Sequence, residues 1–175
     1  MSSNSKTILI TGGAGFIGSN FVNYIFRKYP NYKIILLDAL TYAGNLDNLA
    51  PEMKRNNRFR FYHGNITRAD MVNALVEESD VVVHFAAESH VTRSIYDNTI
   101  FFTTDVLGTQ ILANAVVNYP VERFIHISSS EVYGTALSDA MDEDHPLNPL
   151  SPYAAAKAGA DRLVYSYMHT YGIPA

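Results

Sequence analysis

Two segments combine a hydroxyl, a phenol, an ammonium and a carboxylate at spacings that could support hydride chemistry on an alcohol. A strand-like run ends in Ser129, Ser130 and Glu131, and a later segment contains Tyr153 and Lys157. Four residues along a helix place Tyr153 and Lys157 one turn apart on the same face. A buried cation beside the phenol favours loss of its proton, so Tyr153 could act as acid/base while Ser129 hydrogen-bonds the substrate oxygen.

The interval between tyrosine and lysine is weak support by itself, because it recurs elsewhere in the chain. Tyr24 precedes Lys28, and Tyr29 precedes Lys33, by the same four residues. The first pair is expected on the rear of a helix, and the second straddles a proline in a loop. Neither pair follows a strand and a serine cluster, so only the later tyrosine and lysine are predicted to be catalytic.

A glycine-rich turn near the N-terminus predicts a pyrophosphate site. It follows a short apolar strand at residues 7–11 and leads into a helix, whose positive end favours phosphate groups. Glycines at intervals of three let the turn close, the backbone approach the phosphates and the helix pack on the strand. The predicted cofactor contacts in this turn are Gly12, Gly15, Phe16, Ile17 and Gly18.

Asp38 indicates which dinucleotide would bind. It ends the second predicted strand, and its carboxylate would accept hydrogen bonds from the two hydroxyls of an adenosine ribose. A 2′-phosphate would be repelled by this charge, and no arginine follows in residues 39–41, so NAD is favoured over NADP. A glycine turn and a helix-capping aspartate in a domain without ligand remain the alternative.

The order of predicted elements indicates an α/β fold, a doubly wound parallel sheet of the Rossmann type, with residues 1–175 forming one NAD-binding domain. Strands are expected near residues 7–11, 34–37, 59–62, 80–85 and 122–127, and helices near 16–29, 67–77, 94–117 and 152–171. Residues 139–149 are predicted to be a surface loop. A glycine and a proline at the chain end predict that another strand follows, so we expect a substrate-binding lobe after residue 175 in a complete protein.

Composition excludes several classes. The net charge is −4 and there is no cysteine, which argues against a nucleic-acid binder and against thiolate metal sites. The six histidines lack paired ligand spacing, and His84 is expected to be a core residue, so no metal is predicted. Residues 1–6 are short and polar, unlike a signal peptide, and we expect no membrane span and a cytoplasmic protein.

With these residues in place, the chain resembles the extended short-chain dehydrogenase/reductase family, and within it the nucleotide-sugar epimerases and 4,6-dehydratases. The similarity covers essentially all 175 residues. Residues 38–45 and 84–94 resemble dTDP-glucose 4,6-dehydratases most closely. The resemblance implies a nucleotide-sugar substrate, and a homodimer packed through the helices near 97–117 and 152–171.

The resemblance also implies roles for individual residues. Ala86 and Ala87 would line the nicotinamide side, Ser89 would face the sugar nucleotide and Thr104 would approach the cofactor. Asn65 and Ile66 fall where the family contacts adenine. Ser129, Tyr153 and Lys157 would form the catalytic trio, and the substrate would meet Ser89, Ser129, Glu131 and Tyr153.

Three positions depart from the dTDP-glucose dehydratase pattern. Ser129-Ser130-Glu131 stands where those enzymes usually carry Thr-Asp-Glu, so the acid that would protonate the departing C6 hydroxyl is replaced by Ser130. Asn65 replaces a common aspartate near adenine, and Asp105 replaces a usual asparagine near the nicotinamide. The first departure bears on the type of reaction.

Dehydration is the favoured reaction. Oxidation at C4 acidifies the C5 hydrogen, and Glu131 is placed to remove that proton and deliver it to the leaving hydroxyl, as the Ser-Glu pair of GDP-mannose 4,6-dehydratases suggests. UDP-glucuronate decarboxylases share the pair and rank second, and simple 4-epimerases, which need no C5 base, rank third. An isolated or inactive NAD-binding module is the alternative of another class, supported by the missing lobe.

Overall fold

A single parallel sheet organises the described part of the chain. The computed structural model describes residues 5–137 and 139–175; Met1 to Asn4, which belong to the polar segment judged unlike a signal peptide, and Ser138 lie outside the described residues. The strands are β1 (Thr7–Thr11), β2 (Lys33–Asp38), β3 (Phe59–His63), β4 (Val81–His84) and β5 (Arg123–His126). Their order is β3-β2-β1-β4-β5, and all pairings are parallel. This confirms the predicted fold class.

Helices connect consecutive strands and cover both faces of the sheet. They are α1 (Phe16–Lys28), α2 (Pro51–Lys54), α3 (Ala69–Glu77), α4 (Val91–Tyr96), α5 (Thr99–Phe101), α6 (Thr109–Asn118) and α7 (Pro152–Tyr171). Single 3₁₀ turns occur at Leu46–Asn48 and Ser130–Tyr133. Parallel strands need such crossover connections, and a sheet covered on both faces has apolar residues at successive positions of its strands.

Alternate residues of the central strands enter two separate apolar clusters. In β1, Ile8 and Ile10 pack with α1 on one face, whereas Leu9 packs with α3, α6 and α7 on the other. In β2, Leu36 joins the first cluster and Leu37 the second. Successive side chains of a strand point to opposite faces, so each strand contributes to both cores.

The predicted helix at 94–117 is wrong at its start. α4 ends at Tyr96, and Asp97 then accepts a hydrogen bond from the Thr99 N–H at 3.2 Å, which starts the next helix instead of continuing the first. Aspartate side chains compete in this way with helical hydrogen bonds. From Thr99 to Asn118 the chain is one helical rod, composed of α5, a π-helical segment Phe102–Gly108, and α6.

The helical rod Thr99–Asn118 bears on the expectation of no membrane span. Its 20 residues and mean hydropathy of 1.4 are sufficient, by length and composition, to cross a membrane. In the structure, Leu112, Ala113 and Val116 of the rod are buried in the core of the domain. Core helices of globular domains meet the same criterion, so the rod is weak support for a membrane segment.

The other boundaries lie within two residues of the predictions, and the segment at residues 139–149 is an exposed loop as expected. Beyond α7, the Pro174 carbonyl accepts a hydrogen bond from the Phe124 N–H at 3.0 Å. The last residues therefore run alongside β5. Strands β1, β2 and β4 end at the same edge of the sheet, which is where ligands bind in open parallel sheets.

Candidate active site

A cleft of about 390 Å³ opens at the carboxyl ends of the strands. We call it the first cleft. It extends from the glycine turn before α1 to the start of α7, and brings together residues that are far apart in sequence. All the predicted cofactor contacts line it, as does the predicted substrate contact Ser89: Gly12, Gly15, Phe16, Ile17, Gly18, Asp38, Asn65, Ile66, Ala86, Ala87, Ser89, Thr104, Tyr153 and Lys157.

Two glycines of the turn are required by close packing. Gly12 has a φ of 71°, and a Cβ there would collide with the backbone of Ala86. A Cβ on Gly18 would collide with the Gly12 carbonyl, which is where α1 packs against the turn. Phe16, the first residue of α1, is 82% exposed. The turn therefore presents its backbone and the positive end of a 13-residue helix to the cleft, which suits a pyrophosphate.

The Asp38 carboxylate is buried at the end of β2 and is already bound to the turn. It accepts hydrogen bonds from the Ala14 N–H at 2.9 Å and from the Leu40 N–H at 2.8 Å. Each carboxylate oxygen has a second lone pair, so these contacts leave acceptor capacity for a ribose hydroxyl. Asp38 thus joins the glycine turn to the adenosine side of the cleft.

Lys157 is fixed at the end of the first cleft opposite the glycine turn. Its side chain is buried, and Nζ donates a hydrogen bond to the Ile127 carbonyl at 2.7 Å. Tyr153, one turn earlier on α7, packs its ring edge-on against Phe101 with the centroids 6.2 Å apart. The Ser151 hydroxyl caps the helix by accepting from the Ala154 N–H at 3.1 Å. These contacts orient the phenol and the ammonium towards the cleft.

Asp105, in the π-helical segment of the rod, is a buried carboxyl group near Lys157. It is 1% exposed, and Oδ1 accepts from the Glu88 N–H at 2.7 Å. Burial raises the pKa of Asp105 to about 7, against the opposing effects of that hydrogen bond and of the Lys157 cation. Burial likewise lowers the pKa of Lys157, opposed by the charges of Asp105 and Asp161. Both groups are thus pushed towards their neutral forms.

The serines after β5 differ in the clefts that they line. Ser128 lines both the first cleft and a neighbouring cleft of about 880 Å³, which we call the second cleft, whereas Ser129 and Ser130 line only the second. Glu131 is exposed in the 3₁₀ turn, and its N–H donates to the Ser129 hydroxyl at 3.2 Å. Tyr153 and Lys157 therefore share the first cleft with Ser128, and Glu131 lines neither cleft.

The two other tyrosine-lysine pairs are at the surface. Lys28 hydrogen-bonds the Tyr24 hydroxyl on the exposed side of α1. The Tyr29 and Lys33 pair straddles the turn between α1 and β2, where the Tyr29 ring stacks on Tyr32. The four-residue interval thus produces a contact at Tyr24 without burial or a cleft.

Several cleft residues were not singled out from the sequence. Thr41, Ala43 and Gly44 follow Asp38 in a motif that supported the family resemblance, and Ser128 belongs to the serine run. Glu88 is 3% exposed, and burial raises its pKa although Arg93 lies 4.0 Å away. A buried carboxylate beside a cleft has no periodic signal in sequence, so only the fold identifies Glu88.

His84 is a core residue, as predicted. Nδ1 lies 2.7 Å from the Thr11 hydroxyl and Nε2 lies 3.0 Å from the Thr109 hydroxyl. Burial holds the pKa of His84 well below its usual value, and the neighbouring His126 and Lys157 add to this effect. In the described residues there is no group of three His, Asp or Glu side chains suited to a metal ion.

The glycine turn, the acidic residue at the end of β2 and the tyrosine-lysine pair at one edge of a parallel sheet define a dinucleotide-binding domain of the short-chain dehydrogenase/reductase type. The chain belongs to the GDP-mannose 4,6 dehydratase family, whose sequence profile matches residues 9–175.

Two relatives match the chain over nearly its whole length. The low-salt glycan biosynthesis protein Agl12 of Haloferax volcanii is 49% identical over 167 residues, covering 95% of this chain and 53% of that protein. A dTDP-glucose 4,6-dehydratase of Mycobacterium tuberculosis is 47% identical over 171 residues, covering 96% of this chain and 50% of the enzyme.

A solved structure shows the same fold. DesIV, a dTDP-glucose 4,6-dehydratase from Streptomyces venezuelae with NAD and dTDP bound, superposes with a TM-score of 0.90 and 47% identity. The match covers 95% of this chain and 53% of DesIV. The chain thus spans about half the length of the relatives that it matches.

Proposed function

We propose that this chain is the cofactor-binding and catalytic part of an NAD-dependent nucleotide-sugar 4,6-dehydratase of the dTDP-glucose type. The observation that carries the proposal is the first cleft, which joins a pyrophosphate turn and Asp38 to Tyr153 and Lys157. The fit for NAD rests on Gly12, where a side chain would fill the turn, and on Asp38, whose charge disfavours a 2′-phosphate.

Bound NAD would accept hydride from C4 of the sugar and return it to C6. The residues of the chain handle the protons. Tyr153 takes the proton of the C4 hydroxyl, and Lys157, held by the Ile127 carbonyl, stabilises the phenolate that does so. Ser129 hydrogen-bonds the C4 oxygen in this proposal, as the family resemblance implies.

Glu131 and Ser130 decide the reaction that follows oxidation. The C4 ketone acidifies the hydrogen on C5, and Glu131 removes it as a base and passes it to the departing C6 hydroxyl, which leaves as water. Ser130 supports the same hydroxyl by a hydrogen bond, in place of the aspartic acid usual in dTDP-glucose dehydratases. Ser130 lines the second cleft, and Glu131 follows it in the exposed 3₁₀ turn.

Two copies of the chain would associate in the proposed homodimer. Apolar side chains are exposed on the helical rod and on α7, which pack together and share one side of the domain. They include Phe102, Leu107, Tyr165 and Met168. Burying them against a second copy would remove this surface from water. The proposed location is the cytoplasm.

Product mass is the most direct test of the proposed reaction. The whole protein is incubated with NAD and, separately, dTDP-glucose, UDP-glucose, GDP-mannose and UDP-glucuronate. A dehydratase gives a product lighter by one water, and we expect this with dTDP-glucose. Loss of carbon dioxide would instead identify a decarboxylase, and an unchanged mass with altered stereochemistry a 4-epimerase. Cofactor binding without any oxidation of these sugars would identify an NAD-binding module.

Glu131→Gln separates oxidation from elimination. The glutamine keeps the size of the side chain but cannot accept the C5 proton, so NADH should form on the protein while loss of water falls by roughly a hundredfold or more. Absorbance of NADH and product mass are followed together. Glu143→Gln, at a nearby exposed position of the second cleft, is the matched control. Normal dehydration by Glu131→Gln would remove this residue from the mechanism.

A further inference from the structure

The proposed dehydratase reaction, on which this inference rests, leaves a proton on Tyr153 in every turnover. The C4 hydroxyl gives its proton to Tyr153, and the product keeps the C4 ketone, so that oxygen never takes it back. The C5 proton leaves in the water formed from the C6 hydroxyl, and C5 later gains one proton from solvent. The balance closes only if Tyr153 releases one proton to solvent before the next sugar reacts.

A buried group behind Lys157 has the chemistry to carry that proton. His126 ends β5, directly before Ile127, whose carbonyl holds Lys157. Both ring nitrogens of His126 are buried and have no hydrogen-bond partner among the described residues, and the same holds for the Ser128 hydroxyl. Buried polar atoms are normally paired, and ordered water is the usual partner when protein atoms are not.

These groups lie between the two clefts. Ser128 lines both of them. On α7, Lys157 lines the first cleft and Asp161, one turn later on the same face, lines the second. His126 is near enough to both to interact electrostatically with each charge. Lys157 at the first cleft and Asp161 at the second are thus one helical turn apart, and His126 lies near both charges.

We propose that the proton left on Tyr153 travels through Lys157, His126 and Asp161 into the second cleft. Through ordered water bound to the unpaired ring nitrogens, Lys157 gives a proton to one nitrogen of His126 while the other nitrogen releases one towards Asp161, and Lys157 then takes the proton of Tyr153. Only N–H and O–H bonds change, and the charge of each group is restored. His126 acts on the substrate only through Lys157 and Tyr153.

The state of His126 fits this role. Burial and the Lys157 cation lower the pKa of His126 to about 4, with Asp161 opposing, so its ring is neutral near neutral pH. A neutral imidazole has one nitrogen that accepts and one that donates. His84 cannot substitute, because both its nitrogens are bound to threonine hydroxyls. Asp105 also faces Lys157, but at 1% exposure it gives no access to solvent.

The test compares the first oxidation with continuous turnover in the whole protein. Before its first turnover Tyr153 holds no proton from an earlier sugar, so rapid mixing of the NAD-bound protein with dTDP-glucose should give unchanged formation of NADH in His126→Phe and in Asp161→Asn. Steady-state turnover should fall roughly tenfold or more in both, with a larger solvent deuterium isotope effect. Asp144→Asn, which alters the second cleft away from α7, is the matched control and should change neither rate.

Chemical rescue provides a readout that a structural role would not give. In His126→Ala, added imidazole should restore steady-state turnover, whereas pyrazole, of the same shape but a far weaker base, should not. Steady-state turnover at the normal rate in both His126→Phe and Asp161→Asn, or a first oxidation slowed as much as turnover, would overturn the relay. Failure to oxidise or dehydrate any sugar by the unmodified protein would instead reject the proposed function.

Discussion

Two elements hold Lys157 in place, and a third lies near it. Its own helix supplies the backbone, the end of β5 supplies the Ile127 carbonyl, and Asp105 on the rod acts on it electrostatically. The exposed Lys28, which contacts Tyr24 at the same four-residue interval, has no comparable surroundings. At the scale of single residues, Lys157 owes its role to its surroundings. Burial and the hydrogen bond to Ile127 fix its ammonium group, whereas an exposed lysine would move freely.

Tyr153→Phe tests the acid/base at this position. The substitution removes one hydroxyl and leaves the ring against Phe101, so NAD should bind as before while turnover falls by roughly a thousandfold or more. Cofactor binding is measured by calorimetry and turnover by product formation. Tyr24→Phe, at the exposed pair, serves as the control. An equal loss of cofactor binding and turnover would contradict the assignment.

Asp38→Ala tests the ribose contact. Loss of hydrogen bonds to a charged acceptor should weaken NAD by roughly 10- to 100-fold, and should weaken NADP less because a repulsive charge disappears. Asp38 also accepts from the Ala14 and Leu40 N–H groups, so Asp38→Asn is measured beside it to separate loss of charge from loss of the turn. Equal weakening of both cofactors would rule out a ribose contact by Asp38.

The side chains in the first cleft were mostly predictable, because glycine spacing and strand ends are local signals. Ser129 shows the limit. The serine run contains three chemically equivalent hydroxyls, so the local sequence does not say which of them faces Tyr153. The fold shows that Ser128 lines both clefts, whereas Ser129 and Ser130 line only the second.

At the scale of elements, the start of α7 positions the catalytic pair. Ser151 accepts from the Ala154 N–H, and Pro152 occupies the first turn, where its missing N–H costs nothing. This cap fixes the start of α7, and the capping residue Ser151 lies two residues before Tyr153. The match between predicted and observed bounds for this helix reflects that strong local signal.

Ser151→Ala should therefore affect both stability and turnover. Loss of the cap should lower the free energy of unfolding by about 1 kcal/mol, and fraying of the first turn should reduce turnover more than NAD affinity. Urea unfolding gives the stability change. Ser151→Asp, which can still cap the helix, should retain most of the stability. If Ser151→Ala and Ser151→Asp unfold alike, the cap does not support this helix end.

The break between α4 and α5 was less predictable than α7. Residues 94–117 have a continuous apolar pattern, and the competing signal is a single hydrogen bond from the Thr99 N–H to Asp97. The π-helical segment within the rod depends on contacts with α7 and on Asp105, which are distant in sequence. Local propensity cannot show such contacts, so the break was missed.

At the scale of the whole molecule, buried ionisable groups couple stability to pH in opposite directions. His84 and His126 have lowered pKa values, so the unfolded chain binds more protons below about pH 6.5 and they favour unfolding there. Asp105 has a raised pKa, from 3.8 to about 7, so the folded chain holds its proton while the unfolded chain has lost it. Stability from Asp105 is lost as pH rises across that interval.

Asp105→Asn isolates the contribution of Asp105 to the pH dependence of stability. Because asparagine does not ionise, the free energy of unfolding of the variant minus that of the original protein should increase by about 2 to 3 kcal/mol between about pH 5 and about pH 7. Urea unfolding at several pH values measures this difference. Asp139→Asn, in the exposed loop, is the control. A difference that stays constant with pH would show that Asp105 ionises normally in the folded protein.

The π-helical segment Phe102–Gly108 limits how the chain can change in length. Each of its turns holds more residues than an α-helical turn, so it sets the rotational phase between Ile100 in the first cleft and Leu112 in the core. Deleting one residue here would restore regular helix and leave the two sides in nearly the same rotational phase, because the wider turns take up one residue more than α-helical turns do. Natural variants of this domain should therefore accept a one-residue deletion within Phe102–Gly108 more readily than one within α6.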